Sequence, residues 1–119
     1  MKKGLKKIPL SKSLTFVAQS HVFDLETNNP VTKKCNIHSW SGKGEWKPCC
    51  YTEDHNSAKC MWDKPGELTS YKANAYEIAA AATESIDPGK ALSLWKESKH
   101  HNNVILNKSI WAKMEWKAI

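Results

Sequence analysis

Arginine is absent from this 119-residue chain, so lysine supplies the whole basic side of its +6 formal charge. Without arginine there is no planar fork to grip phosphate or guanine through two parallel hydrogen bonds. A sequence-specific nucleic-acid binder is therefore not expected. Only Lys2, Lys3, Lys6 and Lys7 cluster. The rest of the charge reads as a solvated lysine surface, and binding of acidic polymers is kept as a minor alternative. Long apolar runs are missing too. Nothing approaches the ~20 residues that a membrane-spanning helix requires. The basic start MKKGLKKIPLSK lacks a following apolar stretch of about 7–15 residues. Gln19 and Ser20 break LTFVA, so no signal peptide is expected within the chain. There is no internal repeat and no low-complexity tract, which removes solenoid architectures from consideration.

What the chain does have is concentrated between Cys35 and Trp62. That run holds all 4 cysteines, with Trp40, Trp46 and Trp62 and with His38 and His55. Cys49 and Cys50 are adjacent. Neighbouring Cα atoms lie about 3.8 Å apart, below the usual disulfide separation of about 4.4–6.8 Å. A Cys49–Cys50 bridge is therefore excluded. Two pairings remain: Cys35–Cys49 with Cys50–Cys60, or Cys35–Cys50 with Cys49–Cys60. Zinc is the weaker reading, because structural zinc ligands come in pairs two to four residues apart. Residues 35–60 are thus expected to form a cysteine-stapled loop in an oxidising compartment. The three tryptophans read as packing rather than ligand stacking.

Elsewhere the pattern is helical. Leu14, Val17, Ala18, His21, Val22 and Leu25 fall on one stripe. Ser11 precedes the stripe, and Asn28, Asn29 and Pro30 end it. His21, on that stripe, reads as a hydrogen-bonded core histidine. Residues 28–72 carry turn chemistry and no period. ANAYEIAAAAT, residues 73–83, has high helix propensity. Asp87-Pro88 is a capping residue followed by proline at the first helical position, opening a helix to about Ser98 with Trp95 in the core. SKHHNN reads as a polar turn, and Trp111, Met114 and Trp116 lead toward a strand.

The order SLTFVAQSHVFDL, CNIHSWS, AYEIA and ALSLWKESKHHNNVIL, with the CC and CMWDKP stretches between, resembles the CAP superfamily. This family contains the cysteine-rich secretory proteins, antigen 5 and the plant pathogenesis-related proteins, and the bacterial branch is the most similar. The resemblance covers roughly residues 4–119. It implies an α+β fold, a single CAP domain over residues 1–119 of the α-β-α sandwich type. Both ends look short, so the central antiparallel sheet is expected to be largely missing and the stability marginal.

The same resemblance implies a cavity built from two histidines and two glutamates. Matched residue by residue, His38 takes the first histidine position, Glu77 the first glutamate and His101 the second histidine. Lys90 stands where the second acid is expected. The motif also departs from the family at Lys99-His100, in place of Pro-Gly, and at Ala75, in place of glycine. The implied function is a secreted or cell-envelope module that binds a lipid, sterol or other small ligand, with catalysis not required. The alternative is a metal-dependent hydrolase. In it His38 and His101 would hold a divalent metal such as zinc, with Glu77 and a water completing the set. Lys90 opposes that alternative, since a unit charge pair at about 5 Å and an effective dielectric of 20 is worth roughly 3 kcal/mol. No catalytic nucleophile is evident, because Ser39 follows His38 directly.

Overall fold

The structure is a computed structural model describing residues 4–119. It resolves into two compact units. The larger is Leu10–Glu77 with the last two residues. The smaller is Ile78–Lys117 with the N-terminal stretch up to Pro9.

The larger unit is organised by helix α1, Lys12–Asn28. Its N-cap is Ser11, whose Oγ accepts from the Leu14 amide at 3.1 Å. Its C-cap is Asn29 in the left-handed region at φ 43°, a conformation asparagine tolerates better than most residues. The face it buries differs from the expected stripe. Val17, His21 and Asp24 are buried, while Ala18 and Val22 are exposed. Two polar residues take the inward face because the loop after the helix offers both of them hydrogen bonds.

That loop is closed by Cys35–Cys50 and Cys49–Cys60, which resolves the pairing. Trp40 and Cys49 exchange two backbone hydrogen bonds of 2.9 and 3.0 Å in an antiparallel bridge. Trp40, Cys49, Tyr51 and Val17 form the buried core, with Trp46, Ala58, Cys60, Met61 and Leu68 against it. The Trp46 ring lies over Gly44, where a Cβ would sit 2.1 Å from it. Only a glycine leaves room for that ring.

A second helix, α2, spans Ala58–Leu68 inside the segment expected to be irregular. The KPGE sequence reads locally as a turn, but tertiary contacts override it. Cys60 ties the first turn to Cys49. Lys64 is buried, its amine donating to the Lys47 carbonyl and to Glu67 Oε1, both at 2.9 Å. The Pro65 carbonyl closes the helix by accepting from the Thr69 amide and hydroxyl. After α2 the chain returns alongside it. The Ala75 amide donates to the Trp62 carbonyl at 3.3 Å, and the Glu77 amide points at Met61 Sδ at 3.3 Å. The helix expected over residues 73–83 is therefore extended and irregular chain. These alanines have the propensity, but the anchorage of Glu77 dictates otherwise.

The smaller unit contains α3, Pro88–Glu97, and α4, Lys99–Ile105, followed by a 3₁₀ turn at Ser109–Trp111. Asp87 caps α3 as expected, its Oδ1 accepting from the Lys90 amide at 2.8 Å. The polar turn expected at SKHHNN is instead α4, which starts on the Ser98 carbonyl. Trp95 is half-buried rather than core, and no described residue of this unit is fully buried.

The expected α+β fold, a CAP-type α-β-α sandwich, is overturned. Such a sandwich needs a central sheet. Among the described residues there is no strand, only the isolated Trp40–Cys49 bridge. The segment expected to lead into a strand curls instead. Asn107 Nδ2 donates to the Met114 carbonyl at 2.9 Å, and the Trp111 and Trp116 rings meet at 5.6 Å.

Candidate functional site

The larger unit brings Glu77 onto two histidines from two different elements. From α1, His21 places Nδ1 2.5 Å from Glu77 Oε2. From the stapled loop, His38 places Nδ1 2.7 Å from Glu77 Oε1. The His38 backbone is held by an Asx turn in which its amide donates to Asn36 Oδ1 at 3.0 Å. The Asn36 amide is fastened to the Tyr51 carbonyl at 2.8 Å, beside the Cys35–Cys50 bridge. The disulfide loop thus aims His38, as a stapled loop is expected to do.

Partner chemistry assigns the protons. His21 Nε2 faces the Ser39 carbonyl at 2.9 Å, an acceptor only, so Nε2 carries a proton. Its Nδ1 faces a carboxylate oxygen, so Nδ1 carries one too, and His21 is an imidazolium. Burial opposes that charge, but the Glu77 hydrogen bond and negative charge, with the Ser39 carbonyl, outweigh it and raise the His21 pKa. Burial likewise opposes ionised Glu77, yet the hydrogen bonds from His21 and His38 and the charge on His21 hold its pKa below the ordinary range. The imidazolium also stacks on Trp40, with centroids 4.1 Å apart and planes 7° from parallel, a cation–π arrangement.

Asp24, one turn along α1, is fully buried. It accepts from the Ser41 amide at 2.8 Å, the Ser41 hydroxyl at 2.5 Å and Asn28 Nδ2 at 2.7 Å. Burial would raise its pKa; the Ser41 hydroxyl and amide, Asn28 and then the His21 charge outweigh it and keep Asp24 below the usual carboxylate range. His21 and Asp24 together clamp Ser39 and Ser41 to α1. This fixes the loop on both sides of Trp40.

His38 is the outward-facing member. Its Nδ1 is engaged with Glu77, and no hydrogen bond from another described residue is found at Nε2. Its side chain is 17 % exposed, and the edge-on Tyr51 ring lies 5.2 Å away. Burial, followed by the Glu77 charge, pushes the Tyr51 phenol up. A carboxylate-oriented imidazole with an open Nε2 can accept a proton from a ligand hydroxyl or amide, or from a water. Ser39 plays no such part: it is fully buried, and its Oγ accepts from the Tyr51 amide at 2.9 Å.

Of the residues expected at the site, the structure joins His38 and Glu77 directly. His101 lies on α4 of the smaller unit and is half-buried, whereas its neighbour His100 is exposed. Lys90, at the start of α3, turns its amine to Glu84 Oε1 at 2.7 Å on the surface. Among the described residues no three His, Cys, Asp or Glu converge as a metal site. Both Glu77 oxygens and both Nδ1 atoms are engaged with one another. Sequence reasoning found His21 as a bonded core histidine but not as the partner of Glu77, and it missed Asp24, Ser41 and Lys64. The available signal for Asp24 was its place three residues after His21 on the face of α1 that also carries Val17.

Comparison with known proteins yields no family model, no curated protein and no solved structure that matches this chain.

Proposed function

We propose that this protein is a secreted or cell-envelope binding module that uses His38 Nε2 to accept a hydrogen bond from a hydroxyl or amide of its ligand. The observation that carries this reading is the orientation of His38: its Nδ1 is held 2.7 Å from Glu77 Oε1, and no described residue bonds its other nitrogen. The imidazolium of His21 keeps Glu77 ionised, so the carboxylate stays available to orient His38. The two disulfides support an extracytoplasmic setting. No helix among the described residues is long and apolar enough to cross a membrane. The motif order that resembles the CAP superfamily points to a hydroxyl-bearing apolar ligand, a sterol or lipid. The test is titration with a fluorescent sterol. His38→Phe, which keeps the ring shape but removes the lone pair, is expected to weaken binding at least tenfold, in the range of one lost buried hydrogen bond. Equal affinity in wild type and variant sinks the proposal.

The same open Nε2 favours one second reading, hydrolysis with His38 as general base and Glu77 as its orienting group. Ester hydrolysis that disappears in His38→Ala supports it. A folded protein with no ester turnover removes it.

A further inference from the structure

A cleft of about 390 Å³ lies between α2 and the returning strand-like segment of residues 71–74, and it shares no residue with the histidine–glutamate cluster. We infer that this cleft is a binding site for a neutral oligosaccharide.

The walls are two amphipathic aromatics, Trp62 from α2 and Tyr71 from the returning segment. Both are half-buried. The Trp62 indole N–H and the Tyr71 hydroxyl have no partner among the described residues. An aromatic face with a polar tip suits a pyranose, which offers a patch of C–H bonds on one face and hydroxyls round its edge. The rim then supplies both senses of hydrogen bond. Lys47 and Lys72 bring donors and Asn74 brings both senses; Asp63, whose Oδ2 pairs with Lys59, and Glu67, whose Oε1 is held by Lys47 and Lys64, each offer their second oxygen as an acceptor. A polyanion would meet the two carboxylates and a polycation the two ammonium groups. A neutral polyol can use all of them.

The cleft is also preformed. The Lys47 amide donates to Glu67 Oε1 at 2.9 Å, which buried Lys64 also binds. The Tyr71 amide is held by Thr69 Oγ1 at 3.1 Å, and the far end of the segment by the Trp62 carbonyl. Little ordering remains to oppose binding. The floor includes Gly66, where a Cβ would meet only the Tyr71 carbonyl oxygen at 3.7 Å. The helix therefore accepts a side chain there, and the small residue leaves the cleft open.

The experiment follows the Trp62 indole N–H resonance in the full chain during titration. The probes are the β-1,4-linked glucose tetramer and the β-1,4-linked N-acetylglucosamine tetramer. At least one is expected to shift that resonance saturably. Gly66→Gln, which fills the cleft and raises helix propensity, is expected to weaken binding at least tenfold, as is Trp62→Ala. His38→Phe is expected to bind unchanged, so failure of the sterol proposal and failure of this one are separately visible. No saturable shift with either tetramer up to about 10 mM overturns the inference. Full binding by a folded Gly66→Gln protein also overturns it, as does loss of binding in His38→Phe.

Discussion

At the scale of single residues, His21 decides how the larger unit responds to pH. Its folded pKa is raised above 6.5, so its contribution is complete below that value and is lost as pH rises through the folded pKa. Glu77 runs the other way. Its pKa is lowered from 4.5, so its contribution is complete above that value and is lost as pH falls through the folded pKa. The pair is one interaction, and its full strength lies between these limits. His21→Leu leaves Glu77 with one histidine donor instead of two and is expected to destabilise by about 3 kcal/mol near pH 6. It is also expected to abolish the decline of stability on the alkaline side. Urea midpoints measured from pH 5 to 9 check both, and an unchanged alkaline decline in the variant would remove His21 as its source. This pairing was half legible in the sequence. A histidine among apolar residues signals a buried hydrogen bond, but its partner is 56 residues away, beyond any helical or strand period.

At the scale of elements, local and non-local determinants divide cleanly. α1 and α3 were readable because their caps are local: Ser11 and Asn29, Asp87 and Pro88. α2 was not readable, since it is held by Cys60 and by buried Lys64, and neither contact is visible in the segment itself. The alanine-rich stretch failed in the opposite sense. Its propensity, worth at most several tenths of a kcal/mol per residue, yields where Ala75 and Glu77 are tied to Trp62, Met61 and the two histidines. The disulfides rank by the same reasoning. Each closes a short loop worth about 2–4 kcal/mol. Cys49 is a core residue tied to α2, and opening its bridge also loosens the helix that lines the cleft. Replacing Cys49 and Cys60 by serine is therefore expected to lower the urea midpoint more than replacing Cys35 and Cys50. The reverse order would contradict this account of how α2 is held.

At the scale of the whole molecule, the two units differ in what they bury. Val17, Trp40, Cys49 and Tyr51 sit inside the larger one, under two disulfides. The smaller one has no fully buried residue among those described, and Trp95 Nε1 and Asn107 Oδ1 are shielded from water without a partner. Such a unit opens at low free energy. Amide exchange is expected to be markedly slower in α1 than in α3 and α4. Equal protection across the three helices would show that the units share one cooperative core.

The sequence by itself determined the class of charge, the exclusion of a Cys49–Cys50 bridge and the capped helices. Each rests on neighbouring residues or on chain geometry. Only the tertiary structure decided the disulfide pairing, the absence of a sheet among the described residues, the burial of Asp24 and Lys64, and the joining of His21, Glu77 and His38. Those depend on which distant groups satisfy one another once water is excluded, and a buried charge settles only where its partners are.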